Sequence, residues 1–247
     1  MNNSTSFKST HSALIKAIRD LDSCISLEDK FKWKIPEGCP ISIPETCKTQ
    51  FQENWHLKTN MRKVLSNTKD LTPHYWLIRN WGKIPRFGTG KISRDPAIID
   101  IVRRCEEGGT IELDFDGIAS LSKIAAFLVP DKYAIYDSRA VYALNWLLVR
   151  HLPKEKRFRQ PLGRSTLFRD YNTETLYELS ETKNEIRAWR NSYGSYCELL
   201  IKLSEAALNK TNPYYLEMLL FTAAKVSIPS ELKKHVTVTF SNTNNEA

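Results

Sequence analysis

With five cysteines, five histidines and nine glycines in 247 residues, the chain has little material for several common kinds of chemistry. Cys24, Cys39, Cys47, Cys105 and Cys197 contain no close pair, so neither a zinc site nor an iron–sulfur cluster is expected, and no other cofactor. An odd number of scattered thiols, with polar Met1–Ser6 instead of a signal segment, is expected of a reducing, cytoplasmic setting. His11, His56, His74, His151 and His235 are too dispersed for a metal-ligand set or a catalytic triad. No apolar run nears the roughly 20 residues that span a bilayer, so a soluble chain with no membrane partner is expected. Internal repeats are missing too, and low complexity is confined to the two ends.

What is present is an ordinary globular composition, 41% hydrophobic and 26% charged, with a net charge of +8 that suits an anionic partner. The basic residues cluster. One group is Arg150, Lys154, Lys156, Arg157, Arg159, Arg164 and Arg169; another is Arg79, Lys83, Arg86, Lys91 and Arg94. Either can contact phosphates, and either can equally be a solvated face.

Helical periodicity dominates, and the fold class expected is mostly α. The spacing predicts helices from His11 to about Leu21, Glu45 to Ser66, Leu71 to Trp81, and Pro96 to Glu106 after an Asp95 cap. Further helices are expected from the Phe115 region to Val129, Asp137 to His151, Ser192 to Lys210 and Pro213 to Val226. His235–Phe240 alternates like a strand without an evident partner. The domain reading is a flexible lead-in over 1–10, a helical domain over 11–234 and a tail over 235–247.

The most informative stretch is Phe115–Leu128, continued by Tyr133–Arg139. Gly117 permits a tight turn, and Ser120 and Ser122 place hydroxyls near a helix N-terminus that favours an anion. Lys123 lies one turn into that helix. The apolar Tyr133, Ala134 and Ile135 anchor the chain just before Asp137, holding its carboxylate at the mouth of a cleft. Read from the residues alone, Asp137 serves equally well as an ordinary helix cap, and Lys123 as a solvent-facing lysine.

This order of features resembles the helix-hairpin-helix DNA glycosylases, particularly the 8-oxoguanine DNA glycosylase branch. Gly117–Ile118 matches the family's hairpin, Lys123–Ile124–Ala125 its lysine helix, and Ile135–Tyr136–Asp137 with Arg139 its aspartate element. The likeness covers about thirty residues. Three departures accompany it: Ala119 stands where a second glycine is usual, two extra residues precede the lysine, and the loop to the aspartate is short. Two residues turn a helical side chain by more than half a turn, so the direction of Lys123 is a question for the structure.

The resemblance implies a helical glycosylase-like fold with its cleft between two helical subdomains. The partner it implies is double-stranded DNA carrying a damaged or modified base, the hypermodified bases of phage DNA included. It implies Asp137 and Lys123 as catalytic residues, the lysine forming a Schiff base. Gly117, Ala119, Ser120, Ser122 and Arg139 are then expected to contact DNA. Trp81 and Asn80 are candidates for the base pocket on aromatic and amide chemistry, with Trp76 a core anchor. Glu217 and Phe221, on the last long helix, are expected to wall the same pocket. A non-catalytic DNA-binding module and a protein-interaction scaffold are the alternatives.

Overall fold

The computed structural model describes residues 3–161, 173–178, 185–187, 191–237 and 239. Arg164, Arg169 and most of the expected tail lie outside these. Thirteen α-helices are described: α1 Asn3–Thr10, α2 Ser12–Cys24, α3 Leu27–Lys30, α4 Gln50–Asn60, α5 Arg62–Leu65, α6 Thr72–Trp76, α7 Asp95–Glu106, α8 Phe115–Leu128, α9 Ser138–His151, α10 Thr173–Glu178, α11 Ser192–Leu208, α12 Tyr214–Val226 and α13 Ile228–His235. A π-helical turn over Leu77–Trp81 continues α6. The only β pairing among the described residues is an isolated bridge between Arg157 and Ile186. No described helix is long and apolar enough to cross a membrane.

One buried cluster runs from Leu14 to Leu232. Its centre is α9 packed against α12, with α2 touching α9, α11 and α12, and α7 beside α8. Helices α8 and α9 are buried along nearly their whole lengths, as their run of Ile, Ala, Leu, Val and Phe requires.

Several expected boundaries move. Residues 3–10 form a helix, and Phe7 of it stacks on His11 at 4.0 Å. The long helix expected from Glu45 begins instead at Gln50, because Thr49 caps it by accepting from the Gln52 amide at 3.2 Å. It breaks at Met61. Asp95 opens α7 rather than capping it, and its carboxylate accepts from the Tyr75 hydroxyl. The strand-like His235 closes α13, while 238 and 240 lie outside the described residues.

The largest change concerns the hairpin. Gly117 and Ile118 lie in the first turn of α8, whose N-cap position is Asp114. Gly117 does not use the positive φ open to glycine; the glycine that does so here is Gly108, at φ +72, just after α7. The connection between α7 and α8 therefore runs over 107–114. Its exposed Glu112 and Asp114, with Asp116 in the first helical turn, complement the helix dipole and repel phosphate.

Candidate functional site

The connector before α9 sets the site. Tyr133, Ala134, Ile135 and Tyr136 are all buried and lie outside any helix, so their peptide groups need partners inside the protein. Side chains from three helices supply them. The Ala134 amide meets Cys197 Sγ at 3.5 Å, the Ile135 amide meets Glu217 Oε2 at 3.1 Å, and the Tyr136 amide meets Ser122 Oγ at 3.0 Å. The Tyr193 and Tyr196 hydroxyls donate to the Ala134 and Ile135 carbonyls at 3.0 and 3.1 Å. A segment held at so many points delivers Asp137 in one place.

Asp137 caps α9: its Oδ1 accepts from the Arg139 amide at 2.8 Å. That uses one oxygen. Asp137 is only half-buried and lines a cavity, so the cap and the cavity role coexist in one side chain.

That cavity is a narrow cleft of about 40 Å³ that opens to solvent, and Lys123 lines it together with Asp137. Its walls are aromatic: Phe31, Trp33, Trp81, Phe127 and Phe221. Trp33 meets Trp81 and Phe221 edge-on, at 6.0 and 5.4 Å between ring centroids, and Trp81 meets Phe127 at 5.0 Å. Asn54 ties the Trp33 backbone to the Trp81 ring. Its Nδ2 donates to the Trp33 carbonyl at 2.7 Å, and its Oδ1 accepts from Trp81 Nε1 at 2.8 Å.

Two lysines enter the cavity. Lys58 is ion-paired with Glu217, both side chains being buried, and the same carboxylate oxygen takes the Ile135 amide. Lys123 is 4% exposed and donates to the Ala119 carbonyl one turn back. Burial lowers its pKa from the ordinary lysine value, against the raising fields of Asp137 and Glu217 and with help from the Lys58 charge. Gly82, directly after the π turn, permits this placement. A Cβ there would stand 2.7 Å from Lys123 Cε and 2.6 Å from the Ile78 carbonyl oxygen. Such single-turn π insertions often mark functional sites.

Of the expected residues, Asp137, Lys123, Trp81, Glu217 and Phe221 meet in this one cavity. Asn80 does not: it is exposed, while its neighbour Trp81 is buried, and Asn54 is the amide that lines the cavity. Trp76 is a core anchor, its Nε1 donating to the Glu37 carbonyl at 2.9 Å. Gly117, Ser120 and Ser122 are buried, and Ser122 holds the Tyr136 amide, so these do not present groups to a duplex. Ala119 is half-buried, with its carbonyl engaged by Lys123. Arg139 does not line the cavity but lies against its wall, with its guanidinium 4.6 Å from the Phe221 ring centre.

The first basic group is partly internal. Arg157 is buried over the Tyr177 ring, and Lys156 pairs with Glu185. In the second, Arg79 donates to the Phe87 carbonyl at 2.8 Å. Sequence reading missed Phe31, Trp33, Asn54 and Lys58. One signal was available: Asn54, Leu57, Lys58 and Met61 recur at helical spacing, so the amide and the ammonium share the apolar stripe. Comparison with protein-family models, with curated proteins and with solved structures finds no match to this chain.

Proposed function

We propose that the chain is a DNA glycosylase that draws a damaged or modified base into the aromatic cavity and cuts its bond to the sugar. The observation that carries this reading is the meeting of a half-buried carboxylate, Asp137, and a buried lysine of lowered pKa, Lys123, in one aromatic-walled cavity. The helix-hairpin-helix glycosylase-like fold, with this cavity as its interdomain cleft, belongs to the same proposal. Flat rings edge-packed into a box accept the face of an extruded base.

The chemistry follows from the two groups. As the C1′–N bond breaks, its electron pair leaves with the base and positive charge builds on the sugar. The carboxylate of Asp137 stabilises that charge. Lys123, when neutral, adds its nitrogen to C1′ and gives up a proton, which the departing base takes. Opening of the sugar ring breaks the C1′–O4′ bond and converts this adduct to a protonated imine, O4′ taking a proton from water and staying on C4′ as a hydroxyl. Loss of a C2′ proton expels the 3′ phosphate, and water finally frees the lysine.

The test is incubation with duplexes each bearing one modified base, 8-oxoguanine first, followed by hot alkali to reveal abasic sites. Asp137→Asn is expected to lower base release about 10²–10³-fold. Asparagine caps helices as well as aspartate does, so folding is preserved. Undiminished release in that variant overturns the role given to Asp137. Borohydride is expected to trap a covalent adduct of active protein and DNA. Active protein that yields no adduct removes the lysine step.

A further inference from the structure

At the α8 N-terminus exposed Glu112, Asp114 and Asp116 offset the nearby cations, Arg159 over the Phe115 ring at 4.3 Å and Lys132 on the Gly108 and Gly109 carbonyls. Positive charge without such acids gathers at the cavity. Lys83 Nζ lies 4.2 Å from the centre of the Trp33 ring, and the Arg139 guanidinium lies 5.6 Å from the same ring and 4.6 Å from Phe221. Lys225 follows Phe221 by one helical turn on α12, so it shares that face. The three come from the turn after Trp81, from α9 and from α12, and they surround two wall residues of the cavity.

Arg139 is the most telling of them. Its side chain is half-buried, yet it makes no hydrogen bond or ion pair among the described residues; it touches aromatic faces, and the Asp137 carboxylate acts on it only as a field. Partly desolvating a guanidinium without an acceptor is unfavourable, and an external anion relieves it. Mutual repulsion has the same origin: the Arg139 charge, then desolvation, then the Lys83 charge hold the Lys225 ammonium below its ordinary pKa. An anion between them converts that repulsion into binding.

We infer that Lys83, Arg139 and Lys225 form a clamp for backbone phosphates of DNA beside the nucleotide that enters the cavity. The clamp rests on the glycosylase reading for its partner, and it moves the grip from the α8 turn to the cavity rim. Such contacts release counterions, so each one adds about 0.9 to the slope of log affinity against log salt.

The experiment measures binding of a duplex carrying one tetrahydrofuran abasic analogue, which cannot be cleaved by base release, across a salt series. Lys83→Gln, Arg139→Gln and Lys225→Gln are each expected to reduce the slope by about 0.9, and the triple variant by about 3. Arg139→Lys should retain most of the slope, which separates charge from packing. Lys16→Gln, on exposed α2 surface, should change nothing. A triple variant that melts like wild type and keeps the full slope overturns the clamp, and so does a wild type without salt-dependent binding. If that variant keeps its slope while wild type still releases bases, the clamp alone falls. If the slopes drop as expected but no base is ever released, the clamp stands and the glycosylase reading falls.

Discussion

Lys58 and Lys123 occupy the same cavity at nearly the same depth, 3% and 4% exposed, yet they sit in opposite electrostatic situations. Lys58 has a carboxylate partner in Glu217, and the pair is shared with the Ile135 amide. Lys123 has only the Ala119 carbonyl, with Asp137 acting on it as a field rather than as a salt-bridge partner. Burial charges a price for an ammonium that only a partner offsets. The first lysine therefore serves as a fixed cation holding the aspartate connector in place, and the second is driven toward the neutral form that a nucleophile needs.

The comparison breaks most sharply at Lys58. Lys58→Met leaves the Glu217 carboxylate buried without its counter-charge and is expected to cost about 3–5 kcal/mol in urea unfolding. Lys58→Met with Glu217→Gln should recover part of that loss, because no uncompensated charge remains. A loss below about 1 kcal/mol in the single variant would show that Lys58 and Glu217 are not coupled as described.

Lys123→Met should do the reverse. Removing a buried ammonium without an ion-pair partner is expected to raise stability at neutral pH by about 2 kcal/mol, or about 4–8 °C in Tm, while abolishing borohydride trapping. The pH dependence has a definite sign. A lysine whose folded pKa is lowered holds fewer protons than in the unfolded chain between the two values. Its penalty is therefore full below the folded pKa and fades as pH rises toward the ordinary value of 10.5. Trapping by wild type should rise over the same window and level off below pH 10.5. A plateau only above that value would mean an unperturbed lysine.

The contrast between the lysines was half legible in the sequence. Lys123 and Asp137 stood out because a family resemblance and a helix cap marked them, and the apolar residues before Asp137 announced an anchored segment. Glu217 was visible as an acid within an apolar run. Its partner was not, because Lys58 lies 159 residues away and only the fold joins them. Asn80 was chosen because it adjoins Trp81 in sequence, whereas the structure joins Trp81 to Asn54, an amide from another helix. Gly117 was read as a turn because glycine so often makes one, but Asp114 begins a helix there and the chain turns earlier. The π turn left no trace, since one inserted residue does not disturb an apolar pattern enough to reveal it.

The smallest effect tests the placement of Lys123 alone. The Ile78 carbonyl beside Gly82 accepts the Ile84 amide at 3.1 Å, so it has little freedom to retreat. A methyl group at 82 would overlap both that oxygen and the lysine stem, and the lysine, being flexible at its end, is the part that moves. Gly82→Ala is therefore expected to lower the rate of trapping about tenfold, equivalent to about 1.4 kcal/mol, while base release supported by Asp137 falls much less. Equal losses in both would mean that the substitution deforms the cavity as a whole. Unchanged trapping would mean that the amine reaches C1′ by a path that does not depend on the gap Gly82 leaves, and the distinction drawn between the two lysines would then rest on charge alone.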